Sequence, residues 1–183
     1  TRAWLLAINI AMFGFCWGVL SNYLAIYSKE TLGITGGTGT YFAILSCGLF
    51  LSRLQGRKAL RDGRLTQNAM EGMCLSLVGF VLFVAVPHPV TYYLSAGLIG
   101  LGNGHLYPAF LNMFVAVARH DQRGTANSSI LTGWDLGFGI GCLLGGVVAE
   151  HWGYGAAFWM VALENACGVL LFFMAGRQFF LAR

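Results

Sequence analysis

Apolar residues fill six long stretches of the chain, and short polar segments separate them. The stretches cover residues 3–27, 38–54, 67–86, 91–118, 125–148 and 156–175. Most hold about 20 residues or more, which at about 1.5 Å per residue matches a hydrocarbon core of about 30 Å. They lack the alternation of barrel strands, and an open sheet edge cannot face lipid. The pattern predicts one all-α integral membrane domain over residues 1–183, with six transmembrane helices.

The basic residues indicate how this domain is oriented. If the N-terminus is cytoplasmic, Lys29 alone lies outside, and ten of the eleven Lys and Arg residues lie inside. The inner set is Arg2, Arg53, Arg57, Lys58, Arg61, Arg64, Arg119, Arg123, Arg177 and Arg183. Such a bias in short loops sets orientation. We therefore expect a multi-pass protein of the plasma or inner membrane, with both ends of this segment cytoplasmic.

Composition narrows the classes of partner. Hydrophobic residues make up 57% of the chain and charged residues only 10%, so the net charge of +4 reflects helix ends rather than a nucleic-acid surface. The five cysteines all fall inside apolar stretches without a Cys-x-x-Cys pair, and the four histidines form no His-x-x-x-His pattern. We expect a lipid bilayer as the main partner, no nucleic acid, no metal and no cofactor.

The fifth stretch divides into faces. Its glycines recur every fourth residue, within about 120° of the helix circumference, which predicts a flat face for a close helix contact. They are Gly133, Gly137, Gly141 and Gly145. A second stripe, small and partly polar, contains Ser128, Thr132 and Asp135, and a third is purely apolar and suits lipid. In the fourth stretch Pro108 removes one backbone hydrogen bond and predicts a kink.

Three segments resemble the major facilitator superfamily. The loop after the second stretch, Arg53-Leu-Gln-Gly56-Arg-Lys-Ala-Leu-Arg61-Asp-Gly63-Arg64, is similar to the family's Gly-x-x-x-Asp-Arg-x-Gly-Arg loop, although Leu60 stands where that pattern has aspartate. The fourth stretch reads Gly100-Leu-Gly102-Asn-Gly104-His-Leu-Tyr-Pro108. The fifth opens Arg123-Gly124-Thr-Ala126 and continues through Gly137-x-x-x-Gly141-Cys142, with Cys142 where an antiporter signature has proline.

The resemblance implies one six-helix half of a twelve-helix transporter, built from two inverted three-helix repeats. The pattern Gly39-Thr40 with Gly48 parallels Gly124-Thr125 with Gly133, as such repeats require. Because the chain begins at Thr1 without a methionine and ends in a short basic tail, we expect a C-terminal half whose partner is an N-terminal six-helix half. The resemblance also implies a cytoplasmic gating loop formed by Arg53, Gly56, Arg61, Gly63 and Arg64.

Polar residues within the stretches are the candidates for a solute or proton path. Asp135 lies roughly 16 Å from the cytoplasmic end of its helix, where a carboxylate costs about 2.5–3.5 kcal/mol and needs a cavity or a partner such as Arg53. His105 is either a proton site or a neutral side chain bonded to a neighbouring helix. Hydrogen-bonding and stacking candidates, which also suit helix packing, are Asn9, Tyr23, Asn103, Tyr107, Asn112 and Trp134.

These features predict secondary transport of a small organic solute by alternating access, with proton-coupled efflux as one form that it could take. A self-contained six-helix channel or a homodimeric half-transporter is the alternative. An intramembrane enzyme is disfavoured, because the chain has no Gly-x-Ser-Gly nucleophile motif and no Gly-x-Gly-Asp carboxylate pair. We therefore expect a carrier rather than an enzyme.

Overall fold

The computed structural model describes residues 3–181, so Arg2 and Arg183, both predicted to be cytoplasmic, lie outside the described residues. No strand occurs within residues 3–181, and six long helices follow one another in the order of the predicted stretches. This confirms the all-α class. The helices are α1 (Trp4–Leu32), α2 (Thr38–Arg61), α3 (Leu65–Ala85), α4 (Pro89–Val117), α5 (Arg123–Trp152) and α6 (Tyr154–Leu171).

Two short elements complete the chain. A 3₁₀ turn, His120–Gln122, leads into α5. A π-helical turn, Phe172–Gly176, continues α6 and passes directly into α7 (Arg177–Leu181). The connections between the long helices are therefore tight, and successive helices lie antiparallel within one bundle.

Helix α2 is longer than the predicted stretch and changes the position of the expected gating loop. Arg53 and Gly56, which we expected in that loop, lie inside the helix, which ends only at Arg61. Residues 54–61 are mostly Leu, Gln, Arg, Lys and Ala, which favour helix. The helix stops at Gly63, whose φ of 74° lies in the left-handed region, and the amides of Gly63 and Arg64 bond back to the carbonyls of Leu60 and Ala59. This is a Schellman cap.

The turn between α3 and α4 shows why the sequence Pro87-His88-Pro89 starts a helix. Pro89 occupies the first helical position, where a missing N–H costs no hydrogen bond. The His88 ring nitrogen Nδ1 accepts a hydrogen bond from the backbone N–H of Val90 at 3.2 Å. The Thr91 hydroxyl donates to the His88 carbonyl at 2.8 Å. Local side chains therefore satisfy this turn without help from the rest of the bundle.

The predicted glycine face of α5 packs against the backbone of α1. A Cβ atom added at Gly137 would overlap the carbonyl of Ala11, and one at Gly141 would overlap that of Phe15. The contact is reciprocal, because a Cβ added at Gly14 of α1 would overlap the Trp134 carbonyl. The outward apolar stripe of α5 stays exposed, with Leu143 at 73%. The glycines of α5 therefore lie against the backbone of α1, and the contact of the exposed apolar stripe with lipid stays a prediction.

Helix α4 makes two contacts of the same kind. A Cβ added at Gly48 of α2 would lie 2.7 Å from the Gly97 carbonyl oxygen of α4. On the other side of α4, Gly72 of α3 and Gly102 of α4 face one another. A Cβ added at either glycine would lie 2.5 Å from the carbonyl oxygen of the other. Helix α6 closes the bundle against α1 and α3. If α1, α2 and α3 correspond to α4, α5 and α6, the contact between α1 and α5 corresponds to the contact between α4 and α2. Two three-helix repeats require this match.

Four of the described helical segments are both long and apolar enough to cross a bilayer: Trp4–Leu32, Leu65–Ala85, His120–Trp152 and Tyr154–Gly176. Helices α2 and α4 are long enough, at 24 and 29 residues, but neither contains a continuous stretch of 18 residues that is apolar enough. Arginine and lysine lower the hydropathy of α2, and glycine, amide and histidine residues lower that of α4. Much of α4 is buried against α2 and α3, and Asn103, His105 and the glycines beside them face protein there. Six complete crossings stay a prediction.

The glycine contact between α1 and α5 predicts opposite effects for two neighbouring substitutions. Gly137→Ala forces α1 and α5 apart and should destabilise the protein by about 1–3 kcal/mol. Gly139→Ala meets open space and should leave stability unchanged or raise it by up to about 1 kcal/mol through helix propensity. The thermal midpoint of the detergent-purified full-length protein measures both. Equal midpoints for the two variants would contradict the proposed helix contact.

Candidate functional site

A cleft of about 350 Å³ opens between α2, α4 and α5. It brings together five of the residues singled out from the sequence: the solute-path candidates Asn103, Tyr107 and Trp134, the gating-loop residue Arg53, and Pro108 at the predicted kink. The remaining lining residues are Leu49, Gly104 and Leu131. The cleft therefore combines a cation, an amide, a phenol and an indole with apolar side walls.

The helices place these side chains far from the helix ends. Arg53 lies about 12 Å from the Arg61 end of α2, and Trp134 lies about 16 Å from the Arg123 end of α5, at about 1.5 Å per residue. Asn103 and Tyr107 are four residues apart on α4 and share one face. Between them Gly104 lets α2 approach closely, because a Cβ there would lie 2.9 Å from the Leu49 carbonyl oxygen.

Aromatic rings form one wall of the cleft. The rings of Tyr107 and Trp134 meet edge to face, with centroids 5.5 Å apart and planes at 88°. Trp17 of α1 stands behind Trp134, with centroids 6.1 Å apart. Edge-to-face pairs at these distances are favourable, so the wall is held in place by its own contacts. A planar or apolar group in the cleft would meet a rigid aromatic surface.

Arg53 and Asp135, the pair expected from the sequence, do not neutralise one another. Among residues 3–181 the ion pairs within 4.0 Å are Arg64–Asp62, at 3.5 Å, and Arg119–Asp121, at 3.8 Å. The Asp135 carboxylate is exposed, lies next to Trp134 in the chain and is close enough to act electrostatically on the Tyr107 hydroxyl. Within the described part of the chain both charges face open space.

His105 lies on the opposite side of α4 from the cleft. Its ring nitrogen Nδ1 is 2.9 Å from the Asn68 Oδ1 atom, and the Asn68 Nδ2 atom donates to the His105 carbonyl at 3.0 Å. Its ring also lies against Gly56 of α2. A second cavity of about 410 Å³, lined by His105 and by Glu71, Cys74, Leu75 and Val78 of α3, opens on this outer side. His105 therefore joins three helices, which is the structural alternative considered for it.

Three other candidates lie apart from the cleft. The Tyr23 hydroxyl donates to the Cys142 carbonyl at 2.6 Å and so ties α1 to α5. The Asn112 amide donates to the Pro108 carbonyl of its own helix at 2.7 Å. Asn9 is fully buried, and neither of its amide atoms has a hydrogen-bond partner among the described residues. Pro108, whose carbonyl accepts the Asn112 bond, is itself one of the residues that line the cleft.

The remaining residues of the expected gating loop lie at the turn between α2 and α3, which is predicted to be cytoplasmic. Arg61 ends α2, Gly63 supplies the left-handed residue, and Arg64 pairs with Asp62 at 3.5 Å. Asp62 lies two residues after the position at which the family pattern has aspartate. It contacts Arg64 of the same turn, and both side chains are solvent-exposed. Exposed pairs of this kind contribute little stability.

The sequence did not predict that Arg53, Leu49 and Leu131 line the cleft. Leu49 and Arg53 are four residues apart, and they border the face of α2 formed by Gly48, Ser52 and Gly56. That small-residue face indicates where α4 packs, so the two neighbouring positions could have been assigned to its edge. Leu131 carried no such signal, because it differs in no way from the lipid-facing leucines of α5.

Comparison with known proteins places the chain in a large group of transporters. The sequence model of the Major Facilitator Superfamily matches residues 69–178. The chain is 29% identical over 172 residues, 91% of its length, to the MFS-type transporter YttB of Bacillus subtilis (strain 168), of which it covers 40%. It is 31% identical over 103 residues, 56% of its length, to an MFS-type transporter of Burkholderia mallei (strain SAVP1), of which it covers 25%.

Solved transporter structures share the fold. The peptide transporter POT in complex with sulfate superimposes with a TM-score of 0.80 at 18% identity, covering 94% of this chain and 37% of that one. The POT family transporter PepTSo gives a TM-score of 0.80 at 15% identity, covering 96% of this chain and 37% of that one. The chain thus spans about two fifths or less of these proteins and relatives, and its six helices adopt the arrangement of one part of that transporter fold.

The contact between Asn68 and His105 predicts a measurable coupling energy. Asn68→Ala and His105→Ala should each lower stability, and the double variant should lose less than their sum by about 1 kcal/mol, because both single variants remove the same side-chain hydrogen bond. Unfolding of the full-length protein in mixed detergent micelles measures the three free energies. Additive losses would mean that the two side chains do not interact in the folded protein.

Proposed function

The chain belongs to the Major Facilitator Superfamily, and we propose that it is the C-terminal half of a secondary transporter for a small organic solute. The solute cavity lies between this half and an N-terminal six-helix half, and rocking of the halves opens it to each side of the membrane in turn. The observation that supports this most directly is the cleft between α2, α4 and α5, which collects polar side chains and aromatic rings far from the ends of their helices.

The position of the cleft fits this proposal. Substrate sites of such carriers lie near the membrane midplane, where the structural repeats meet. Here the cleft lies where the glycine-packed pair α2–α4 meets α5, the partner of α1. Its residues lie about 12 to 21 Å from the predicted cytoplasmic ends of their helices, at about 1.5 Å per residue. A solute bound there would be reached from either side only after the halves had moved.

The polar stripe of α5 supports a partner half rather than lipid on this side of the bundle. Ser128, Thr132 and Asp135 are all exposed, and Asp135 lies near the middle of the helix. Lipid cannot satisfy a carboxylate at that depth, whereas a water-filled cavity or a facing protein surface can. The apolar stripe of the same helix lies to one side and suits lipid. One helix therefore separates the lipid face from the cavity face.

We assign proton coupling to Asp135 rather than to His105. Asp135 stands beside the aromatic wall of the cleft and has no ion-pair partner among residues 3–181. A carboxyl group at this place would respond both to bound solute and to proton supply. His105 is bonded to Asn68 on the far side of α4. We further propose that proton entry drives solute export, in a cell membrane with both ends of the segment cytoplasmic.

Transport by the full-length protein in proteoliposomes tests the function. A panel of radiolabelled sugars, amino acids, nucleosides, aromatic acids and cationic dyes should include a solute whose movement against its gradient follows an imposed pH gradient. Asp135→Asn should abolish this accumulation while retaining solute exchange, because the neutral amide cannot carry a proton. Glu150→Gln, at the exposed far end of the same helix, is the matched control and should behave as the parent protein.

Two results would contradict these assignments. If no solute of the panel is moved, the carrier function fails. If Asp135→Asn accumulates solute with an unchanged dependence on the pH gradient, Asp135 is not the coupling residue, and the carrier function itself still stands.

The six crossings and the inward orientation can be tested by labelling. In a full-length protein whose five segment cysteines are replaced by alanine, a single cysteine at Arg61 should react with a membrane-impermeant maleimide only from the cytoplasmic side. A cysteine at Pro87 should react only from the outside, because α3 separates the two turns. Labelling of both positions from one side would show that α3 does not cross the membrane.

A further inference from the structure

We propose that the cleft binds an organic anion that carries an aromatic ring, with its carboxylate on Arg53 and its ring against Tyr107 and Trp134. This inference rests on the proposed carrier function and adds the class of solute to it. Three observations carry it: the charge of Arg53, the aromatic wall, and the amide of Asn103.

Arg53 is a cation without a counter-charge among the residues that the structure describes. It lies about 12 Å inside the cytoplasmic end of α2, at about 1.5 Å per residue, on the side of the helix that borders α4 and α5. No carboxylate of residues 3–181 lies within 4.0 Å of its guanidinium group. An arginine at such a depth is costly and marks a solute path or a paired site. Its planar fork of N–H donors fits a carboxylate better than it fits a neutral group.

Asp135 does not oppose this assignment. It is adjacent in sequence to Trp134, so its side chain leaves the helix about 100° away from the indole that lines the cleft. It is not among the lining residues, whereas Arg53 is. The two charges therefore lie at different positions. The Arg53 guanidinium lies in the cleft, and the Asp135 carboxylate lies beside its aromatic wall. Among the described residues that line the cleft, the charged side chain is that of Arg53, and its charge is positive.

The Asn103 amide indicates a second polar contact. Its side chain is only 8% exposed and lines the cleft, and its Oδ1 atom has no hydrogen-bond donor among the described residues. A buried amide oxygen left without a donor destabilises the folded protein. A hydroxyl or amide N–H on the solute would satisfy it. The favoured solute thus has an acid group, a ring and one hydrogen-bond donor, and a cleft of about 350 Å³ falls in the usual range for small ligands.

Calorimetric titration of the purified full-length protein at pH 7 tests the inference with three related probes. They are 3-(4-hydroxyphenyl)propionate, its neutral amide 3-(4-hydroxyphenyl)propionamide, and the cation tyramine. All three share the phenol ring and differ at the charged end. The acid should bind about 10- to 100-fold more tightly than the amide, since a hydrogen bond to a charged group is worth about 1.5–3 kcal/mol. Tyramine should bind most weakly.

Substitution at Arg53 should remove this preference. Arg53→Gln should make the acid and the amide bind alike, and Arg57→Gln, one turn further along α2 and not among the lining residues, should leave the preference intact. Arg53→Lys keeps the charge but loses the planar fork, so it should retain a reduced preference for the acid, and it serves if Arg53→Gln does not fold.

The inference is overturned if none of the probes binds, if the amide or tyramine binds as tightly as the acid, or if the variants at Arg53 keep the full preference. These outcomes are separate from those of the carrier test. Transport of sugars or cations that is unaffected at Arg53 would remove the anion site and leave the carrier function. Binding of the acid without transport of any solute would remove the carrier function and leave the anion site.

Discussion

Direct contact between helix backbones is the interaction on which this structure depends. In a bilayer the lipid tails are as apolar as leucine, so burial of apolar surface gives helices little reason to associate. Close packing of the helix backbones provides the attraction instead. It requires that no Cβ atom lie between the two helices. Gly14, Gly137 and Gly141 provide this between α1 and α5, and Gly48, Gly72 and Gly102 provide it on the two sides of α4. Dispersion contacts over several turns then hold each pair.

The cleft follows from the same contacts. Each helix pair is held at backbone distance, so the space that remains lies where the pairs meet rather than within them. Gly104 shows the link directly: it allows α2 to approach α4 and thereby places Arg53 and Asn103 in one cleft. Side chains that lie within a close helix contact, such as His105 against Asn68 or Tyr23 against the Cys142 carbonyl, are satisfied by protein groups. Those at the margin of a contact keep unused charge and hydrogen-bonding capacity, which a transported solute would use.

Much of the architecture could be predicted from the order of residues. Lipid imposes a length and an apolar composition on each helix, and both are local properties of the sequence. The four-residue spacing of Gly133, Gly137, Gly141 and Gly145 is likewise local, so the packing face of α5 was predictable before its partner was known. The extent of α2 was not predicted, because its last two turns are charged and helical at once, and the apolar pattern ends before the helix does.

The candidate site was only partly predictable. Sequence alone identified Asn103, Tyr107, Trp134 and Asp135 as polar or aromatic residues within apolar stretches, and it placed His105, Asn9, Tyr23 and Asn112 in the same class. Only the tertiary structure separated the two groups. Whether a polar side chain faces a cleft or a neighbouring helix depends on which helices pair and on how they are rotated about their axes. Residues far apart in the sequence decide that rotation, so the pattern around any one residue cannot contain it.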